Sequence, residues 1–399
     1  MKLIDRNCPV CHLSDCFEAF DQPTEVIVGM GDIGYHHKIQ ICKGCGFVFA
    51  GPLLPQEKIL AYYEKMSNYE QPQNEGLRPV AEMNQIHRYF GLIKKRFPLG
   101  FTGKVLDVGC ATAFGLMLFK SEGWNVLGID PSQKCVELSK QHYGVNVIRG
   151  FFNPELLQEE KPFDLIILCH VLEHLINPGQ VIRELKKLLS DRGLLYVEVP
   201  NLLKPYAPKC YFGFEHVNFF TPRSLTNLMS VNGLAKDEIT LFDNGPDFSP
   251  FYPVIACTWQ HSQEALPIFN DFSQTASVIE NFKQKSKALV SGIQDKIKLI
   301  LDNTPKGRLA VWGAGIHTSQ LLSETALGGA DLYCIFDNDP KKHGSLLGRF
   351  PIKKFSCDPA DIKLHIDAIL ISSEASEDVI YKQISYLEKF GIKIYRLYK

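Results

Sequence analysis

Four cysteines come in two pairs, Cys8 with Cys11 (CPVC) and Cys42 with Cys45 (CKGC). Members of such a pair can reach one ion together, and two knuckles supply the four thiolates of a tetrahedral structural zinc site. A disulfide is the alternative in an oxidising compartment; in a reducing one the metal is the expected occupant. Two carboxylates, Asp107 and Asp130, each close an apolar run. The second stands where a doubly wound sheet offers a carboxylate to ribose hydroxyls. Farther on, Glu215 and His216 lie among aromatics in YFGFEHVNFF. An imidazole beside a carboxylate titrates near working pH, so His216 is a candidate general base with Glu215 to orient it. The alternative is a buried histidine closing a hydrogen-bond network at a sheet edge.

These residues need elements to hold them. In KVLDVGCATAFG, Val105, Leu106 and Val108 form a strand, and Gly109, Cys110, Ala111, Ala113 and Gly115 a turn of small residues that brings backbone close to a ligand. A helix is expected from about Phe114. The strand Asn125 to Ile129 leads into Asp130 and Pro131. Taken alone, this pattern describes an NAD-binding unit equally well. Strand and helix patterns alternate from Val105 to Asn201, as a mostly parallel sheet requires. The expected class is therefore α/β: a central doubly wound Rossmann-like sheet, preceded by a small zinc-ribbon module and followed by a second, smaller Rossmann-like domain.

The boundaries follow: a zinc-binding module over 1–66, a lid and connecting helix over 67–100, the cofactor domain over 101–262, a connector helix over 263–306 and a nucleotide-binding-like domain over 307–399. Tyr69, in the polar, turn-rich lid, reads equally as a substrate contact and as a surface tyrosine. The connector helix, Val278 to Leu301, places Phe282, Leu289, Ile293, Ile297 and Ile300 on one face. In the last domain, RLAVWGAGIHTSQLL offers a glycine turn and a helix start that could take a phosphate; NAD binding and a purely structural role are the alternatives.

With 399 residues, 45% of them hydrophobic and 22% charged, the chain is long enough for two or three domains with full cores. A net charge of −1 disfavours a partner gripped through a phosphate backbone, so no nucleic acid is expected. The N-terminus lacks an apolar signal core and no run approaches a bilayer span, so the expectation is no membrane and a cytoplasmic location. Cys16 and His12 lie close enough to the knuckles to substitute for a ligand, and the other cysteines, on apolar elements, read as small buried residues.

The layout resembles class I S-adenosylmethionine-dependent methyltransferases, carried by the KVLDVGCATAFG turn, Asp130, the CHVLEHL segment (Cys169 to Leu175) after the strand Phe163 to Leu168, and the strand Leu194 to Val199 ending in Pro200-Asn201. The resemblance implies that the turn and Asp107 face the methionine portion, Asp130 the ribose, Phe151 and Phe152 the adenine, and Cys169 and His170 the rim near the sulfonium. Zinc leader, core, EH pair and C-terminal domain in this order resemble sugar C-methyltransferases acting on nucleotide-activated 4-keto-deoxysugars. That likeness implies His216 as the base, His174 and Tyr69 as assistants, and S-adenosylmethionine and structural Zn2+ as cofactors. The chain has Ala111 and Ala113 where the family turn has glycine, and Gly213 where the family has tyrosine. Transfer to oxygen or nitrogen, and a non-catalytic nucleotide-binding scaffold, are the competing readings. The oligomeric state is left open.

Overall fold

The computed structural model describes residues 3–27, 31–55, 57–59, 80–157, 159–160, 162–205, 212–245, 247–248, 252–264, 266–373 and 376–398. Tyr69 and Cys210 lie outside them. Contact density divides the chain into two units, one of Met1–Phe20, Lys38–Tyr206 and Glu215–Glu280, the other of Asp21–His37, Ala207–Phe214 and Asn281–Lys399.

Three strands come first: β1 (Cys16–Ile27), β2 (Gly31–Cys42) and β3 (Val48–Ala50). The helix α1 (Val80–Lys94) leads to the α/β core, which runs β4 (Lys104–Val108), α2 (Phe114–Ser121), β5 (Asn125–Asp130), α3 (Gln133–Tyr143), β6 (Val147–Arg149), β7 (Phe163–Cys169), α4 (Pro178–Leu188) and β8 (Leu189–Pro200). The short β9 (Asn218–Phe219), α5 (Pro222–Val231), β10 (Leu234–Phe242) and β11 (Val254–His261) follow. Helix α5 opens as the Thr221-Pro222 pair suggests: Thr221 and Ser224 exchange side-chain and backbone hydrogen bonds in a capping box.

The seven-stranded sheet has the order β10-β11-β8-β7-β4-β5-β6. Pairings among β8, β7, β4, β5 and β6 are parallel, while β11 joins β8 and β10 antiparallel. Its strands are apolar on both faces because both are covered. Leu106, Val108, Ile166, Leu168, Leu195 and Val197 enter one core. Val105, Leu165, Ile167, Leu194 and Tyr196 enter the other, closed by Ile86, Tyr89 and Ile93 of α1 and Leu116 and Phe119 of α2. The central strand β4 lies between β5 and β7, so strand order reverses there, and a crevice outside the carboxyl ends of β4 and β7 is the ligand position this topology provides.

Helix α6 (Phe272–Asp302) is longer at its start than the expected Val278, because Asn270 Oδ1 accepts the Phe272 N–H at 2.8 Å and caps it earlier. Phe282, Ile293, Ile297 and Ile300 are buried, but Leu289 is not: it is 36% exposed. The last domain is a second α/β unit built from β12 (Leu309–Trp312), α7 (Ile316–Glu324), β13 (Leu332–Phe336), β14 (Leu346–Leu347), β15 (Phe350–Lys353), α8 (Pro359–His365), β16 (Ala368–Ile371), α9 (Glu377–Ile384) and β17 (Lys393–Arg396). Its sheet runs β14-β15-β13-β12-β16-β17, parallel except for β14 with β15. Thr318, at the third-glycine position, turns its hydroxyl inward onto Gly313 O and Ser372 Oγ. Cys357 is exposed, contrary to the expectation of a buried residue. No described helix is long and apolar enough to cross a membrane.

Candidate functional site

The turn after β4 is built by backbone. Gly109 (φ 77°) and Cys110 both donate their N–H to Ile129 O, at 2.8 and 3.2 Å, so the turn is stitched to the end of β5. Asp130 completes the stitch: one carboxylate oxygen accepts the Ala111 N–H at 2.8 Å and the other the Ser132 N–H at 2.9 Å. Those bonds fix the plane of a carboxylate whose acceptor capacity exceeds two donors. Asp107 and Asp130 are both buried, whereas Phe151, just past β6, is 38% exposed; the preceding Gly150 donates its N–H to Asp130 O at 3.0 Å. Ala111 (φ 48°) and Ala113 (φ 61°) occupy left-handed backbone, which explains why glycine is the residue expected there. Acidic strand ends and an exposed ring fit a nucleoside with a cationic sulfonium. A β-carbon on Gly109 would come within 2.7 Å of Val171 Cγ2, so the turn abuts the segment after β7.

That segment carries a buried ionic network. His170, at φ 56°, holds Nδ1 3.1 Å from Glu173 Oε1 and Nε2 3.5 Å from Glu198 Oε1. Glu198 is fully buried on β8, where it also meets Arg88 Nη2 (2.8 Å), Gln85 Nε2 (2.9 Å) and the Tyr196 hydroxyl, which donates at 2.6 Å. Two carboxylates thus face two cations. Burial alone would strip the proton from His170, but Glu173 and Glu198 outweigh it and push its pKa up to about 9. For Glu173, burial pushes upward and is overcome by His170 and the neighbouring histidines, leaving it at about 2. Glu198 is likewise held below its ordinary value, against burial, by His170 and Arg88. Cys169 is pushed well up by burial and then by Glu198, so it is a thiol and no nucleophile.

Beside this network stand the two histidines singled out by sequence. His174 and His216 make an edge-on ring contact with centroids 4.9 Å apart. His174 Nδ1 donates to the Glu215 carbonyl at 2.8 Å, which leaves Nε2 as the lone-pair nitrogen of the neutral ring. Its Nε2 lies 3.9 Å from Glu173 Oε1. Glu215 therefore reaches the pair through its backbone, and the carboxylate grouped with both rings is Glu173. Sequence reasoning missed Glu173, although it lies within the same CHVLEHL segment.

The His216 segment is pinned from several sides. Val217 donates to Glu173 O (2.8 Å) and accepts from Ala50 N–H (3.0 Å), and β3 pairs antiparallel with β9 at Val48–Phe219 and Phe49–Asn218. Arg6 donates to Val217 O (3.2 Å), Asn218 Oδ1 (2.9 Å) and Ile176 O (2.8 Å), tying the segments that follow both histidines. Next to these contacts, Cys8, Cys11, Cys42 and Cys45 gather with all sulfurs within 4.8 Å of one another. Cys8–Cys45 and Cys11–Cys42 are 3.5 and 3.3 Å apart, close to the spacing of about 3.8 Å that four Zn–S bonds impose. Hydrogen bonds from Cys45 and Cys8 pull Cys42 down to about 2, while Cys8 and Cys45 are pushed up by the charge on Cys42. Four sulfurs converging at this spacing fit zinc, whose charge would let them bind as thiolates.

The structure thus brings together Asp107, Gly109, Cys110, Ala111 and Asp130 in one turn region and His170, His174 and His216 around Glu173. Pro131 and Phe152 are half-buried, the latter packed on the first core.

Residues 81–239 match a family model described as a methyltransferase domain. The ubiquinone biosynthesis O-methyltransferase of Pelagibacter ubique (strain HTCC1062) is 33% identical over 107 residues, which is 26% of this chain and 45% of that protein. The chain thus spans about half the length of that relative. The enzyme of the same name from Actinobacillus pleuropneumoniae serotype 7 (strain AP76) is 25% identical over 213 residues, 48% of this chain and 89% of the relative. Among solved structures, 1,6-didemethyltoxoflavin-N1-methyltransferase of Burkholderia thailandensis is similar at 16% identity and a TM-score of 0.41, covering 54% of this chain and 96% of that one. Residues 81–239 form a methyltransferase domain of the S-adenosylmethionine-dependent class I fold.

Proposed function

We propose that this methyltransferase domain moves the methyl group of S-adenosylmethionine to carbon on a nucleotide-activated 4-keto-deoxysugar. The observation that carries the reading is the His174–His216 pair, with Glu173 beside it, His174 lying three residues past the Val171 that abuts the cofactor turn. S-adenosylmethionine supplies an electrophilic methyl; the chain supplies the base and the alignment. A ketone acidifies the neighbouring C–H, His216 removes that proton, and His174 supports the charge the pair acquires. Excluding water and fixing the two reactants in line provide much of the acceleration. Asp130 orients the ribose, and Asp107 with the Gly109–Ala111 turn receives the methionine end. Cys8, Cys11, Cys42 and Cys45 hold a structural Zn2+ that shapes the wall from which Arg6 and β3 pin the His216 segment. The domain over 307–399 is read as nucleotide-binding-like, and the protein works in the cytoplasm.

Transfer to oxygen is the second reading, favoured by the names of the relatives, which are O-methyltransferases. The same histidine would then deprotonate a hydroxyl. The deciding experiment incubates the protein with carbon-13 methyl-labelled S-adenosylmethionine and a panel of nucleotide 4-keto-deoxysugars and reads the product by carbon NMR. A methyl signal bonded to carbon is expected. A signal in the methoxy range would discard the enolate mechanism and keep the cofactor and fold.

A further inference from the structure

We propose that Glu173 is the positioning carboxylate of the His174–His216 pair, holding its charge where the pair becomes an imidazolium during turnover. The inference rests on the reading of that pair as the base. Glu173 is 1% exposed, and Oε2 has no hydrogen-bond partner among the described residues. Oε1 is held by His170 Nδ1 and lies 3.9 Å from His174 Nε2. The Glu215 carbonyl, by taking the Nδ1 proton of His174, fixes the lone pair on Nε2. A positive charge arriving on the pair is therefore met by a carboxylate oxygen 3.9 Å from His174 Nε2.

A proton supplies that charge better than a metal does. Ligand atoms around a tetrahedral ion with bonds of about 2.1 Å stand about 3.4 Å apart. Glu173 Oε1 and His174 Nε2 stand 3.9 Å apart. His170 Nδ1 already donates to Oε1 and so competes for the oxygen a metal would need, whereas a charge on the pair acts on the carboxylate through space. The other charged groups around the trio are Glu198 from β8 and Arg88 from α1, which neutralise each other, and Tyr252 contacts His170 with its ring. In the step itself the acceptor C–H proton passes to the ring nitrogen of the base, and its electron pair stays on the acceptor as an enolate. The enolate pair forms the new C–C bond, the methyl–sulfur pair returns to sulfur, and the imidazolium gives its proton to water after release. Glu173 acts only through the charge it holds beside the imidazolium.

The test compares full-length wild type, Glu173→Gln and Glu173→Asp. With histidine labelled by nitrogen-15, and His174 and His216 assigned through His→Gln variants, the imidazole titrations in Glu173→Gln are expected to be displaced from those of wild type, with Glu173→Asp between. This readout needs no acceptor, so it separates failure of the coupling from failure of the methyl-transfer reading. Once an acceptor is found, kcat in Glu173→Gln should fall about 10- to 100-fold, with the acid limb of its pH profile moved the same way and the cofactor Kd unchanged. Should Glu173→Gln not fold, Glu173→Asp against wild type reads the same displacement at smaller amplitude. Superimposable histidine titrations would overturn the proposal. So would two bound metal equivalents per chain in wild type falling to one in Glu173→Gln, which would make the trio a metal centre.

Discussion

Ala111 and Ala113 hold φ angles of 48° and 61°, where a β-carbon crowds the following carbonyl at a cost of about 1–2 kcal/mol each. Glycine would remove that strain, but it adds about 0.5–1 kcal/mol of backbone entropy and gives up a buried methyl worth about 0.8 kcal/mol. The opposing effects nearly cancel. Ala111→Gly and Ala113→Gly are therefore expected within about 1 kcal/mol of wild type in chemical denaturation. Gly109→Ala is the asymmetric case: it meets both a φ of 77° and Val171 Cγ2 at 2.7 Å, and should lose about 2 kcal/mol or more. A loss above 2 kcal/mol in Ala113→Gly would show that the turn carries no strain for glycine to relieve. The turn itself was legible, because an apolar strand followed by small residues and an acid has few other uses. Its strain was not, since alanine and glycine differ in backbone freedom that only coordinates reveal.

At the level of elements, the buried network joins α1 to β8 and to the segment after β7. His170 binds its proton more tightly in the fold, at about 9 against an ordinary 6.5. Its contribution is complete below about pH 6.5 and is lost as pH rises through 9. Glu173 is the mirror case, at about 2 against 4.5, so its contribution is present above about pH 4.5 and is lost as pH falls through 2. Both describe one ion pair and count once, so it stabilises most between about pH 4.5 and 6.5. Shifts of this size correspond to about 3 kcal/mol. Urea titrations at pH 6 and pH 9.5 should show wild type losing of that order relative to His170→Gln. Parallel pH dependence in the two proteins would sink the assignment. This network escaped sequence reading for physical reasons. Glu198 lies within LLYVEVP, an apolar run on a strand covered on both faces, and its partners Gln85 and Arg88 are more than a hundred residues away on α1. Spacing records neighbours on one element; it is silent on which element lies opposite. His174 and His216 were recoverable because each sits in a recognisable segment, yet their contact had to be seen.

Over the whole molecule, the cysteine cluster belongs to the same compact unit as the methyltransferase sheet and the His216 segment. Cys45 and His216 are far apart in the sequence, and a leader that covers the cofactor domain and shapes one wall of the site was the expectation. The hydrogen bonds give the leader a task. Arg6 lies two residues before the first cysteine and donates to backbone behind both histidines, while β3, just past the last cysteine, pairs with β9. Loss of the proposed zinc should therefore be felt at His216 before it is felt at the turn after β4, whose described hydrogen bonds run to β5 and which abuts the segment after β7. Arg6→Met removes the clamp and leaves the thiols, so metal content and S-adenosylmethionine affinity should hold while turnover falls at least tenfold. Removing the metal with a chelator should reproduce that loss of turnover and lower the melting temperature as well, since the cluster no longer closes the loops that carry Arg6 and β3. Full turnover in Arg6→Met would mean that β3–β9 pairing alone fixes His216. Loss of cofactor affinity with it would mean instead that the leader and the turn are mechanically one body, and that the metal's influence reaches the whole site.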